Sequence, residues 1–368
     1  MGNDMPDFIP GLELAGLYYH EAVRPILQAK APDLVHSAGL FGPGSEVLGF
    51  DTEMSADHNW GPRVILCLAQ EDRDRLAGEL RETLGHQLPF SFRGYPTHFE
   101  ELADEPGTVL PRLTDRRPIE HRVQITTLHG FVRRYTGMEL ERGLTALDWL
   151  IIPEQKLRTL VSGAVYRDGL GVLEAMHQKL AYYPDQVWLY LLSAQWQRIS
   201  QEEPFVGRAG FSGDEVGSAV IAARLVRDIM QLCFLMEKQY APYPKWFGTA
   251  FAQLGCAGRL SPVLESILGS QSWQEREEHL TVAYEQVAAM HNELGITEPV
   301  PTKVSQFHNR PFMVIQAEAI ASAIWDAIED DEVKALPYGV GKIDQYVNSA
   351  DILSHIDRCR KLGILYGE

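Results

Sequence analysis

Cysteine is scarce in this chain. Its four cysteines, Cys67, Cys233, Cys256 and Cys359, are scattered through 368 residues with no Cys-x-x-Cys pair. That spacing supplies neither a zinc knuckle nor a disulfide framework, and it fits a reducing compartment. Long apolar runs are also missing: no stretch approaches the roughly 18 residues that span a bilayer. The opening residues, MGNDMPDFIPG, are acidic where a secretory leader would be basic. A cytoplasmic location and no membrane partner are therefore expected. Basic residues are in short supply as well, with 33 Lys and Arg against 50 Asp and Glu, a net charge of -17. A field of that sign repels a phosphate backbone, so no long nucleic acid is expected as a partner. A nucleotide is not excluded, because a divalent cation compensates charge inside a small site.

What is present is ordinary for a folded chain, with 45% hydrophobic and 23% charged residues. The length exceeds one comfortable core, and two domains are the default. Helical spacing of Leu14, Leu17, Tyr18, Ile26 and Leu27 predicts a first helix over 11–30 with a kink at Pro25. Strands are predicted over 34–41, 63–68 and 121–128, the last because Val123 and Ile125 alternate with Arg122, Gln124 and Thr126. A helix over 71–84 should stop at Gly85. This order argues for an α/β (α+β) module at 1–150. From about Trp149 onward helix signals repeat, so 151–368 is expected to be a larger all-helical domain. Ser212 and Ser272 each precede an acidic residue by three positions, the spacing of a capping box, and Ser261-Pro262 has the form of a helix start.

The chemistry is concentrated in one stretch. Gly44-Ser45 is followed, eleven residues later, by Asp57-His58-Asn59-Trp60. A glycine lets backbone amides approach a triphosphate and a serine hydroxyl adds a donor. Alternate residues of a following strand share one face and can grip a metal together. His58, between those positions, should face the other way and be structural. Arg63 should pair with a nearby acid such as Asp51 or Glu53. Gly339-Val-Gly341-Lys342 fails as a P-loop, since Leu336 and Ile343 stand where glycine and Ser or Thr belong. Trp188, Tyr190 and Trp196 fall at helical spacings that favour core packing.

The segments GSEVLGFD and SADHNWGPR, with AYYPDQVW, QWQRISQEEPFVGR, the long run around YAPYPKWFGTAF and GKIDQYVNSADIL, resemble the DUF4037-type proteins of the polymerase-β-like nucleotidyltransferase superfamily. The resemblance implies a nucleotidyltransferase-fold module, a nucleoside triphosphate as substrate, Mg²⁺ (or Mn²⁺) as cofactor, and transfer of a nucleoside monophosphate to a hydroxyl. The acceptor would be an unknown small molecule or protein. It also implies Gly44 and Ser45 at the phosphates and Asp57, Asn59 and a residue of the 121–128 strand, Gln124, at the metals. Lys245 would reach the triphosphate from the helical domain. Read from the residues alone, Arg208 and the glycines Gly207, Gly210 and Gly213 form a loop before a helix start that suits an anion, a plain inter-helix turn being the alternative. Asn59 and Gln124 stand where the pattern expects carboxylates, so the site has lost charge. Metal-dependent transfer and a catalytically impaired nucleotide-binding or regulatory protein are both left open. Glu202, Glu203 and Asp214 are candidates for a general base.

Overall fold

The computed structural model describes residues 7–56, 58–105 and 107–367. It divides into two compact units, one of Met1–Gly143 with Lys156–Ala181 and one of Leu144–Gln155 with Tyr182–Glu368. The chain crosses between units three times, where the sequence suggested one boundary near 150.

The first unit is organised by a mixed sheet of four strands, β1 (His36–Leu40), β2 (Arg63–Leu68), β7 (Arg122–Thr126) and β8 (Ala164–Asp168). Their order is β7-β2-β1-β8. Two short pairs lie between β2 and β7 in sequence: β3 (Ser91–Phe92) with β4 (Tyr95–Pro96), and β5 (His98–Glu101) with β6 (Val109–Arg112). β2 runs antiparallel to β1 and parallel to β7, and the helix Gln70–Gln87 lies within the long crossover that a parallel pair requires. β8 completes the sheet from beyond residue 150, which accounts for the extra crossings.

Register assigns the two faces. Val64, Leu66 and Leu68 share one face with Val123 and Ile125, and this face packs on Leu14, Tyr18, Leu27, Leu80 and Leu84 of the helices. The other face of β2 and β7 carries Arg63 opposite Arg122 and Ile65 opposite Gln124. The apolar face makes the core, and the polar face is what remains for function. The first helix is built as Gly11–Tyr18, a π-helical turn Tyr19–Val23 and Arg24–Lys30; Pro25 opens the last segment, where its missing N–H costs least. Gly85 does not end its helix, which runs on to Gln87. A side chain there would press on Pro118 and the Ile119 carbonyl, so this glycine serves packing.

The second unit is mostly helical, with the ribbon β9 (Ser305–Gln306) and β10 (Met313–Val314) as its only strands among the described residues. The helix Asp185–Glu202 buries Trp188, Tyr190 and Trp196, as their spacing predicts. The capping box at Ser272 forms and opens Trp273–Glu293. That at Ser212 does not: Asp214 is the N-cap of Glu215–Met236 and accepts from the Gly217 amide at 2.7 Å. Pro262 lies inside the helix Ala257–Gly269 and does not start one. Among the described residues no helix is long and apolar enough to cross a membrane.

Candidate functional site

The loop from β1 to β2 is held by one buried ion pair. Arg63, the first residue of β2, donates from Nε to Glu46 Oε1 at 2.7 Å, and its Nη2 donates to the Pro43 carbonyl at 2.6 Å. Both side chains are nearly closed to water, so each charge depends on the other. Arg63 thus pairs with Glu46 and not with Asp51 or Glu53. Asp51 instead accepts from the Gly11 amide at 2.7 Å and from Trp60 Nε1 at 3.0 Å, tying the loop to the first helix. Gly44 has φ +141, and a β-carbon there would collide with Arg63 Nη2 and Glu46 Oε2. Ser45 turns the chain into a short 3₁₀ helix, Glu46–Leu48, its carbonyl accepting from the Leu48 and Phe50 amides at 3.1 Å. Its hydroxyl bonds no other described residue and is free to meet a ligand. The Gly-Ser loop is therefore a rigid turn with one spare donor.

The proposed metal positions are arranged differently from the expectation. Asp57 lies outside the described residues. Asn59 is not on a strand: β2 begins at Arg63, and Asn59 sits four residues earlier with φ +57. Asparagine tolerates that left-handed geometry better than most residues. Its amide N–H donates to the Val109 carbonyl at 2.9 Å, and its Oδ1 accepts from the Val109 amide and from Arg122 Nη1, both at 3.3 Å. The carboxamide thus joins β6 to Arg122. Gln124 is exposed on β7, two positions beyond Arg122. Among the described residues, Asn59 is therefore held on a turn and not on a strand face. His58, likewise off any strand, has an interaction partner and is not free.

Arg122 was missed by the sequence reading. It lies opposite Arg63 across β2 and β7, half-buried, with its guanidinium 5.7 Å from the centre of the Phe99 ring. Like charges facing each other across a sheet are unfavourable, yet only Arg63 has a carboxylate. Among the described residues no acid pairs with Arg122. Burial, and then the neighbouring Arg63, pull the pKa of Arg122 below its ordinary value, with Glu46 opposing. Arginine nonetheless stays charged. Arg63, Arg122 and Gln124 line a cavity of about 490 Å³, which Phe99, Val109 and Glu120 also border. Glu120 pairs with Arg81 at 2.9 Å at its exposed edge. The signal available in sequence was the polar side of an alternating strand, which the expectation of a carboxylate led to Gln124.

A metal fits these residues poorly. Asn59 Oδ1 is already shared between a backbone amide and a guanidinium, and a cation there would face Arg122 directly. Among the described residues no group of three or more His, Cys, Asp or Glu comes together to hold a metal ion.

The second unit holds the other predicted residues. Lys245 is exposed in the first turn of Pro244–Phe251, its ammonium 4.9 Å from the Trp246 ring centre. Arg208 is exposed within the helix Phe205–Phe211, so the anticipated glycine loop is a helix. Gly207 and Gly210 allow it to approach Glu277, Phe312 and Trp273, where a β-carbon would collide. The base candidates are otherwise engaged. Glu203 accepts from the Ile315 and Ala317 amides at 2.8 and 3.1 Å, Asp214 caps a helix, and Glu202 pairs with Arg224.

Lys342, rejected above as part of a P-loop, is fully buried. Its Nζ lies 2.5 Å from Glu154 Oε2, which also accepts from Gln231 Nε2 at 2.7 Å, and 3.4 Å from the Tyr183 hydroxyl. Asp344 accepts from the Glu154 amide at 2.9 Å, and its pKa is pushed up to about 6, by desolvation first, with Lys342 opposing and Glu154 reinforcing.

Residues 149–247 match the family model DUF4037, a domain of unknown function. The match takes in Glu154, Tyr183, Gln231 and Lys245 but not the Gly-Ser loop. A solved structure, a nucleotidyltransferase-like protein from Exiguobacterium sibiricum 255-15, is similar at TM-score 0.33 and 10% identity, covering 78% of this chain and 82% of that one. No curated protein matches the chain.

Proposed function

We propose, taking the DUF4037 match as premise, that this is a nucleotidyltransferase-type protein whose first unit binds a nucleoside triphosphate at the Gly44-Ser45 loop. The observation that carries the reading is the loop itself. A glycine at φ +141 brings backbone close, a serine hydroxyl is left spare, and the loop is held by a buried ion pair whose Arg63 lines a polar cavity of about 490 Å³. Preformed donors bind phosphate without an ordering cost. Lys245, an exposed ammonium beside Trp246 in the second unit, is kept as a proposed phosphate contact; Arg208 is not, since its surroundings form a helix. The cytoplasm is the proposed location, in keeping with four buried cysteines that form no disulfide.

Two outcomes of binding are distinguished. The order Gly44-Ser45, Asp57, Asn59 favours transfer of a nucleoside monophosphate to a hydroxyl of a small-molecule or protein acceptor, with Mg²⁺ or Mn²⁺. The engagement of Asn59 with Val109 and Arg122 favours a protein that binds nucleotide and turns it over slowly or not at all. The deciding experiment incubates the chain with each labelled triphosphate, Mg²⁺ or Mn²⁺ and a cell extract, and measures both bound label and pyrophosphate. Bound label that Ser45→Ala weakens supports the site. Label on an acceptor establishes transfer, and absence of binding for every nucleotide overturns the reading.

A further inference from the structure

We propose that Arg122 is the phosphate-binding group of the first unit, and that it neutralises the ligand's phosphate where related sites would use a divalent cation. The inference rests on the nucleotide reading above and specifies its chemistry. The cavity is bordered by Arg63, Arg81 and Arg122 and by Glu101 and Glu120; Arg81 pairs with Glu120, and Glu101 accepts from the Gly107 amide. Arg63 and Glu46 cancel, which leaves the charge of Arg122 uncompensated by any described acid. A lone, half-desolvated cation beside a cavity is costly in an empty site and is stabilised when an anion enters. The wider chain sharpens this point. At net charge -17 it repels anions at long range, so a local positive site serves a ligand bound at short range.

Arginine suits phosphate because its planar fork presents parallel donors to two oxygens. Asn59 Oδ1 takes one Nη1 hydrogen and sets the plane of that fork, while Phe99 lies against it at 5.7 Å. The remaining donors are left for the ligand. Asn59 is on this account a positioning residue for Arg122, not a metal ligand. Its carboxamide serves better than a carboxylate would, since a carboxylate would cancel the charge the phosphate needs.

The test is calorimetric titration of the full chain with ATP, GTP, CTP, UTP and inorganic triphosphate, each in EDTA and in Mg²⁺. The parent is compared with Arg122→Gln and Arg122→Lys, with thermal unfolding recorded for all three. Binding in EDTA should persist within about threefold of that in Mg²⁺, and Arg122→Gln should weaken it about tenfold or more. Arg122→Lys should fall between, because it keeps charge and loses the fork; it also carries the test should the glutamine variant unfold. Nucleotide binding that vanishes in EDTA and is indifferent to position 122 overturns this inference and leaves the nucleotide reading standing. Triphosphate binding that depends on Arg122 but gains nothing from any nucleoside sustains the inference and overturns the nucleotide reading. No binding by any probe overturns both.

Discussion

Glu46–Arg63 in the first unit and Glu154–Lys342 in the second are both ion pairs taken almost wholly out of water, but their surroundings differ. Lys342 is fully buried beside Tyr183, and Gln231 supports its partner. Arg63 lines a cavity and has a second, unpaired guanidinium opposite it. The first arrangement is closed on itself and serves to hold a chain segment in place. The second holds a loop rigid while leaving a neighbouring charge available. Burial of an ion pair thus does not by itself mark a functional site; an adjacent uncompensated charge and room for a ligand do.

The comparison is most sharply tested by removing each cation. Lys342→Met leaves Glu154 buried and charged with only Gln231 for company, and should cost about 3–5 kcal/mol in urea unfolding. Arg63→Met strands Glu46 in the same way, but the cavity beside it admits water. A loss nearer 2 kcal/mol is expected, roughly the cost of an unsatisfied buried polar group, together with weaker nucleotide binding. Equal losses in the two variants, with nucleotide binding untouched by Arg63→Met, would show that the two pairs are the same kind of structure.

The sequence announces the two units unequally. Strand runs as plain as Arg63–Leu68 were legible because six successive residues are buried and apolar apart from the first. β8 was not, because its partner β1 lies more than 120 residues upstream and pairing of that kind leaves no local mark. The Gly-Ser turn was legible from its glycine. Arg122 was not, since its meaning comes from standing opposite Arg63 and above Asn59, neither of which is near it in sequence. Lys342 was likewise opaque: a lysine after Gly-Val-Gly reads as a loop cation, and only Glu154, 188 positions earlier, makes it a core residue.

A smaller effect separates the clusters by pH. Asp344 has its folded pKa raised from 3.8 to about 6, so between those values the folded state holds more proton than the unfolded one. Stability from this group is therefore present at low pH and lost as pH rises through about 6. Asp344→Asn keeps an acceptor for the Glu154 amide and removes the charge. The variant should match the parent near pH 4 and exceed it by up to about 3 kcal/mol above pH 7, since one pKa unit is worth about 1.4 kcal/mol and the rise from 3.8 to about 6 already includes the opposing pull of Lys342. Glu203, raised to about 7, acts in the same direction in both proteins. His291, lowered to about 4 by burial, acts in the opposite one, and both cancel in the difference. A difference that stays constant from pH 4 to 7 would place Asp344 outside the closed cluster.

The smallest expected effect is the most discriminating for the first unit. Asn59→Asp places a carboxylate where Oδ1 now lies 3.3 Å from Arg122 Nη1. If this position belongs to a metal site, the added charge acts on a divalent ion at short range, and Mn²⁺ affinity should rise tenfold or more, roughly 1.4 kcal/mol. If Arg122 is the anion-binding group, the new carboxylate pairs with it instead. Such a pair at a half-buried edge is worth under about 1 kcal/mol, so unfolding should barely change. Mn²⁺ affinity should stay within about threefold of the parent, because the carboxylate is already engaged, while triphosphate binding in EDTA should fall several-fold as the phosphate competes with it. The left-handed backbone at residue 59 accepts aspartate nearly as well as asparagine, so altered folding does not confuse the comparison. The two readings therefore move different affinities with a single substitution: one raises that for metal, the other lowers that for triphosphate. A rise in Mn²⁺ binding with triphosphate affinity unchanged would return this face of the sheet to the cation, and Arg122 to a structural role.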